Sequence, residues 1–212
     1  MSTPTHSSSL ALSTLTPGFT DPVHDTQHVF RILLDTLARP GKIATLGDVL
    51  PAARAPAEYA CRAELAAFAA LLTLCDYTTP VWLAELDTAL ASALRFHTGA
   101  PIVDDAGAAA FAYVHQVSAL PPLERFALGD PEAPEHSATL LIRVDALSGG
   151  TPVVLRGPGI EHAQTFSPVG LPARFWQQRA ELAPLFPCGI DCYFVCGDAL
   201  VGLPRTTRVE LN

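Results

Sequence analysis

With 212 residues, 49% of them apolar, 16% charged and a mean hydropathy of +0.28, the chain excludes a disordered protein. At this size about 70% of the unfolded surface can be buried, and the scarcity of polar residues predicts that another subunit covers part of the rest. Thirteen basic against 21 acidic residues give a net charge of −8 and a pI near 5.2, without the basic footprint of a nucleic-acid or anionic-membrane binder.

Met1 to Thr16 is rich in Ser and Thr, has no Lys or Arg, and lacks a continuous apolar run. It reads as a flexible tail (residues 1–16) before one domain (residues 17–212), with no secretion signal and a cytoplasmic location. The first element opens at Asp21-Pro22, a cap residue followed by proline, and Pro40-Gly41 stops it. Val23, Phe30, Leu33, Leu34 and Leu37 recur between these limits at helical spacing, predicting an amphipathic helix. Lys42 to Leu50 reads as an extended segment and turn. A second helix is predicted from near Pro56 to Cys75, with Ala60, Phe68, Leu71, Leu72 and Leu74 as its apolar surface. Asp76 to Pro80 punctuates it, Pro80 to Leu83 reads as a strand, and Asp87 to Phe96 as a third helix ended by Gly99-Ala100-Pro101.

Beyond residue 100 the period changes. Ala110–Val117, Ala138–Asp145 and Pro152–Arg156 are short β-favouring runs, and the Pro-rich stretch Leu120–Glu135 reads as an ordered surface loop. Pro172 opens a helix from Ala173 to about Ala183. Ile190–Cys196 and Ala199–Leu203, joined at Gly197-Asp198, form a hairpin, and Pro204-Arg205-Thr206-Thr207-Arg208 follows. The fold class is α/β: a single three-layer domain with a mixed sheet flanked by helices.

Several motifs suggest chemistry. His24 and His28 share a helix face as zinc ligands do, but Asp25 stands where a zinc protease needs Glu, and the chain offers no third ligand nearby. The reading is a solvated helix face and no metal. Cys188, Cys192 and Cys196 are spaced like an iron–sulfur loop, but Tyr193-Phe194-Val195 favours a strand. A strand at ~3.3 Å per residue sets Cys188 and Cys192 about 13 Å apart. They read as small buried hydrophobes, and the odd total of five cysteines fits a reducing compartment. Lys42 is the only lysine, so a pyridoxal phosphate Schiff base could form nowhere else. No Gly-x-Ser-x-Gly elbow occurs.

Two stretches are candidates for holding an anion. Leu155-Arg156-Gly157-Pro158-Gly159-Ile160 is either a cradle of backbone N–H groups supplemented by Arg156 or a plain strand-end turn. Leu203-Pro204-Arg205-Thr206-Thr207-Arg208 either holds a phosphate-like group or begins a final strand. Arg156, Arg205, Thr206 and Thr207 are the site residues on the binding readings. The basic residues other than Lys42 are all Arg, which suits such groups but equally reflects GC-rich codon usage. Arg143 beside Asp145 reads as a structural ion pair.

Together these stretches resemble one family. Gly18-Phe19-Thr20-Asp21-Pro22-Val23, Gln27-His28-Val29-Phe30-Arg31, Leu37-Ala38-Arg39-Pro40-Gly41 and Leu72-Thr73-Leu74-Cys75-Asp76 come first. Thr79-Pro80-Val81-Trp82-Leu83, Phe96-His97-Thr98-Gly99-Ala100-Pro101, the Arg156-Gly157-Pro158-Gly159 stretch, Phe186-Pro187-Cys188-Gly189-Ile190-Asp191 and Leu203-Pro204-Arg205-Thr206-Thr207 follow. In this order, from Pro17 onward, the set resembles the PhnH subunits of the carbon–phosphorus lyase system. The resemblance implies a fold similar to pyridoxal-phosphate-dependent transferases but without the cofactor, a homodimer, and partnership with PhnG, PhnI and PhnJ. It implies a role in forming ribose 1-alkylphosphonate 5-triphosphate from ATP and alkylphosphonate, mainly through assembly and substrate organisation. Two alternatives stand beside it: a subunit that contacts nucleotide or phosphonate and adds catalytic groups, and a stand-alone enzyme acting on a phosphorylated small molecule. The resemblance carries over no catalytic residue and no metal or other cofactor.

Overall fold

A computed structural model describes residues 15–47, 49–50 and 63–211. Most of the N-terminal tail, Ala60, and the start of the second helix near Pro56 lie outside them. Helix α1 (Pro22–Ala38) begins where the sequence signals it: the Asp21 carboxylate accepts from the His24 N–H at 3.2 Å, and Pro22 takes the first turn. Its buried residues are Val29, Leu33 and Thr36, whereas Val23, Phe30 and Leu34 are exposed. This corrects the expected core face. Val23, Phe30 and Leu34 are spaced seven and four apart, so they form a second apolar stripe along the same helix. Helix α2 (Leu65–Leu74) is buried along Ala66–Leu71, so almost every side of its first two turns meets protein. Helix α3 (Thr88–Thr98) is capped by the Asp87 carboxylate, which accepts from the Leu90 N–H, and ends on left-handed Gly99.

The central sheet has seven strands: β1 (Ile43–Thr45), β2 (Val81–Leu83), β3 (Ile102–Val103), β4 (Phe111–Val114), β7 (Thr139–Arg143), β10 (Asp191–Cys196) and β11 (Ala199–Leu203). Their order is β1-β11-β10-β7-β4-β2-β3. The five strands from β10 to β3 run parallel, and β11 and β1 are added antiparallel through the predicted Gly197-Asp198 hairpin. Both faces are covered, which explains continuous apolar runs such as Leu140-Leu141-Ile142 and Tyr193-Phe194-Val195. Tyr193, Val195 and Leu141 pack toward α1–α3, while Cys192, Phe194, Leu140 and Ile142 face the opposite layer.

That opposite layer contains α4 (Ala173–Leu182) and a three-stranded antiparallel sheet. Its strands are β8 (Val153–Arg156), β9 (Gln164–Phe166) and β12 (Arg208–Leu211), in the order β12-β8-β9. Helices therefore cover one face of the large sheet, and helix plus small sheet cover the other. The Leu120–Glu135 stretch departs from a surface loop: it forms a short 3₁₀ turn at Leu123–Arg125 and leads into a hairpin of β5 (Leu128–Asp130) and β6 (Ala133–Ser137). Leu123 and Phe126 are buried, so apolar anchors draw the Pro-rich segment into the core.

Among the described residues the core contains three neutral acids. Burial pushes the thiols of Cys75 and Cys192 from 9.0 up to about 12, and burial also raises the Tyr193 hydroxyl, which donates to the Leu33 carbonyl at 3.2 Å. All three stay protonated in the fold and ionise more readily once unfolded, so their stabilisation is intact below the unfolded pKa. For the two thiols it is lost between pH 9.0 and about 12. The unfolding free energy from urea titrations across this range should fall steadily, at on the order of 1 kcal/mol per pH unit for each thiol, and the midpoint with it. A midpoint flat to pH 11 would place these thiols in contact with water.

Candidate functional site

The predicted anion residues lie on two neighbouring segments. Arg156 ends β8, and Gly157-Pro158-Gly159 turns the chain away from it. Residues 204–207 lead into β12, which pairs antiparallel with β8 so that Arg208 stands opposite Arg156. The glycines are explained by close packing: a Cβ on Gly157 would come within 2.9 Å of the Thr206 carbonyl oxygen, and one on Gly159 would overlap the Ala38 carbonyl oxygen at the end of α1. Both also have positive φ, so the Gly-Pro-Gly pattern meets the needs of a turn wedged between α1 and the 204–207 segment.

Arg156, Arg205 and Thr206 line one concavity of about 440 Å³, together with Arg208, Glu210 and Phe186. Thr207 is not among its lining residues: it is buried, its N–H donates to the Pro204 carbonyl at 3.0 Å, and its hydroxyl has no partner among the described residues.

The two predicted arginines have different duties. Arg205 is held by Asp191, at the start of β10. The Asp191 carboxylate accepts from the Arg205 backbone N–H and Nη2 at 2.6 Å each and from Nε at 3.2 Å. Nη1 donates to the Pro134 carbonyl at 2.6 Å. Both side chains of this pair are largely buried, 16% and 18% exposed, so the guanidinium ties β10, β6 and the 204–207 segment together. Arg156 is half exposed. Its Nε donates to the two Glu210 oxygens at 3.1 and 3.2 Å, and its Nη1 to the His162 carbonyl at 3.0 Å.

Beneath the segment, Arg179 of α4 is buried and donates from Nη2 to the Pro204 carbonyl, while its Nε has no partner among the described residues. Burial above all, with a smaller contribution from the like charge of Arg205, lowers its hold on its proton; Cys192 and Asp191 act in the opposite sense.

Sequence reasoning missed Glu210 as a partner of Arg156 and did not choose Arg208 as a site residue. Their approach depends on pairing residues 153–156 with 208–211, a register without a local signal. The other singled-out residues lie elsewhere. Lys42 Nζ meets Asp35 at 3.1 Å, and the His24 ring meets Asp21 at 2.7 Å. Arg143 pairs with Asp145 at 3.2 Å as expected, and also with Glu64 at 2.8 Å, a partner 79 residues away. Among the described residues no cluster of three or more His, Cys, Asp or Glu can hold a metal ion, and no helix is long and apolar enough to cross a membrane.

Residues 17–210 match the bacterial phosphonate metabolism protein family PhnH. The chain is 41% identical over 195 residues to the alpha-D-ribose 1-methylphosphonate 5-triphosphate synthase subunit PhnH of Rhizobium meliloti (strain 1021), spanning 91% of this chain and 94% of that relative. Over 85 residues it is 40% identical to HtxG of Stutzerimonas stutzeri, whose name proposes it as a C-P lyase subunit; this covers 40% of the chain and 44% of the relative. A match that runs from before the first helix into the last strand, and so includes both arms of the cleft, makes this chain a member of the PhnH family.

Proposed function

We propose that this chain is the PhnH subunit of a carbon–phosphorus lyase core complex, supporting formation of ribose 1-alkylphosphonate 5-triphosphate from ATP and alkylphosphonate mainly by assembly and substrate organisation. The observation that carries this is the 41% identity to a synthase subunit of that name over nearly the full length of both chains. Its partners are PhnG, PhnI and PhnJ, and its own association is a homodimer in the cytoplasm. The exposed stripe of Val23, Phe30 and Leu34 supports a chain that buries surface against another subunit. Residues 17–212 act as one domain with the general plan of pyridoxal-phosphate-dependent transferases, supported by the largely parallel seven-stranded sheet.

Of Arg156, Arg205, Thr206 and Thr207, the first and third make the anion contact and the other two support it. Arg156 and Thr206 face the concavity, Arg205 lines it while bound to Asp191, and Thr207 backs it from the core. Co-expression with PhnG, PhnI and PhnJ, followed by size-exclusion chromatography with mass measurement, tests the assignment. Co-elution in a stoichiometric complex is the expected result. A dimer that ignores all three partners would remove it.

A further inference from the structure

We infer that the concavity binds a tetrahedral phosphorus oxyanion of at least two negative charges between Arg156 and Arg208, and that Glu210 occupies this position as an internal competitor. This rests on the reading of the cleft as an anion contact, and adds the two residues that set its affinity.

Antiparallel register puts Arg156 and Arg208 directly opposite one another on the outward face of the small sheet, while Leu155 and Val209 alternate inward. Opposed residues have Cβ atoms about 5 Å apart, where like charges disfavour pairing. Arg205 also lines the cleft, so three guanidinium groups converge within a chain of net charge −8. Asp191 neutralises Arg205, and Glu210 neutralises Arg156. The Arg208 side chain makes no ion pair or hydrogen bond with another described residue, leaving one positive charge in the cleft uncompensated.

The donors that remain fit the proposed ligand. Arg156 has one N–H on Glu210 and one on the His162 carbonyl, which fixes the plane of its guanidinium and leaves three N–H groups free. Arg208 offers five more, and Thr206 lines the same space. A monocarboxylate ligand would only repeat what Glu210 already provides. A dianion with three acceptor oxygens spans both arginines, relieves their repulsion and exceeds a single carboxylate in charge and donors satisfied. The Arg156–Glu210 pair is about half exposed on both sides, and pairs of that kind are weak enough to open for a ligand.

The test is isothermal titration calorimetry on the full chain at low ionic strength, with pyrophosphate and with methylphosphonate as probes. The variants are Glu210→Gln and Arg208→Gln, both at exposed positions, with circular dichroism confirming that each remains folded. Glu210→Gln should tighten binding about three- to tenfold, and Arg208→Gln should weaken it about tenfold or more. The tighter-binding probe identifies the source of the oxyanion as a phosphate chain or a phosphonate. Wild-type binding indifferent to both substitutions would overturn the roles of Arg208 and Glu210 while leaving an anion contact at the cleft. Absence of binding in both wild type and Glu210→Gln would overturn the anion contact as well. Co-elution with the partner subunits is read separately, so failure there removes only the assembly reading.

Discussion

Replacing Arg205 with glutamine should lower stability by about 3–5 kcal/mol, because it leaves the Asp191 carboxylate mostly enclosed without its counter-charge. Asp191 now accepts from three donor groups of this one residue, and of these only the backbone N–H survives the substitution. The Pro134 carbonyl also loses a donor, so the β6 hairpin loosens from β10. Urea unfolding should show the loss directly, and the melting temperature should fall by about 10 °C for a chain of this size. Replacing both members of the pair, as Arg205→Met with Asp191→Leu, should recover much of the loss, since removing both charges removes the unpaired one. A single-variant loss below about 1 kcal/mol would mean a solvated pair, with a guanidinium free to serve a ligand. The pairing also bears on any activity measured for Arg205 variants: unless stability is measured in parallel, an effect through the fold will look like lost ligand contact.

The elements that sequence announces correctly are those with local causes. Asp21-Pro22 opens α1 and Pro40 follows its end; Asp87 caps α3 and Gly99 stops it; Gly197-Asp198 turns β10 into β11. Arg143 and Asp145 are two apart at the end of one strand, so their pairing is local too. What depends on remote chain is not legible. The face of α1 that becomes core is chosen by its neighbours, and two apolar stripes compete: Val29 and Leu33 are buried, and Phe30 and Leu34, one residue on, are not. The hairpin that starts within Leu120–Glu135 and ends at Ser137 is hidden by its prolines, one of which, Pro134, lies within β6 itself. At the cleft, the motif Leu203–Arg208 announces two arginines and two hydroxyls together, but not that Asp191 holds Arg205 or that Glu210 meets Arg156.

Phe194→Ala should cost about 3–5 kcal/mol, the range for truncating a fully enclosed aromatic side chain. Phe194 is the point where the large sheet meets the layer behind the cleft. Its ring centroid lies 5.3 Å from Phe166 of β9, 5.7 Å from Phe175 and 5.8 Å from Trp176 of α4. Alanine leaves a cavity shared by three rings that belong to two different elements, and neither can move in without leaving its other contacts. The same two elements brace the cleft: β9 pairs with β8, α4 packs on β12, and Arg179 of α4 holds the Pro204 carbonyl. The loss should therefore appear both in the urea midpoint and, under conditions where the variant remains folded, as weaker oxyanion binding. Phe194→Leu, which keeps most of the volume, should cost less than about 1.5 kcal/mol and leave binding close to wild type. Equal losses for alanine and leucine would mean that the aromatic contacts, rather than the filled volume, hold the two layers together.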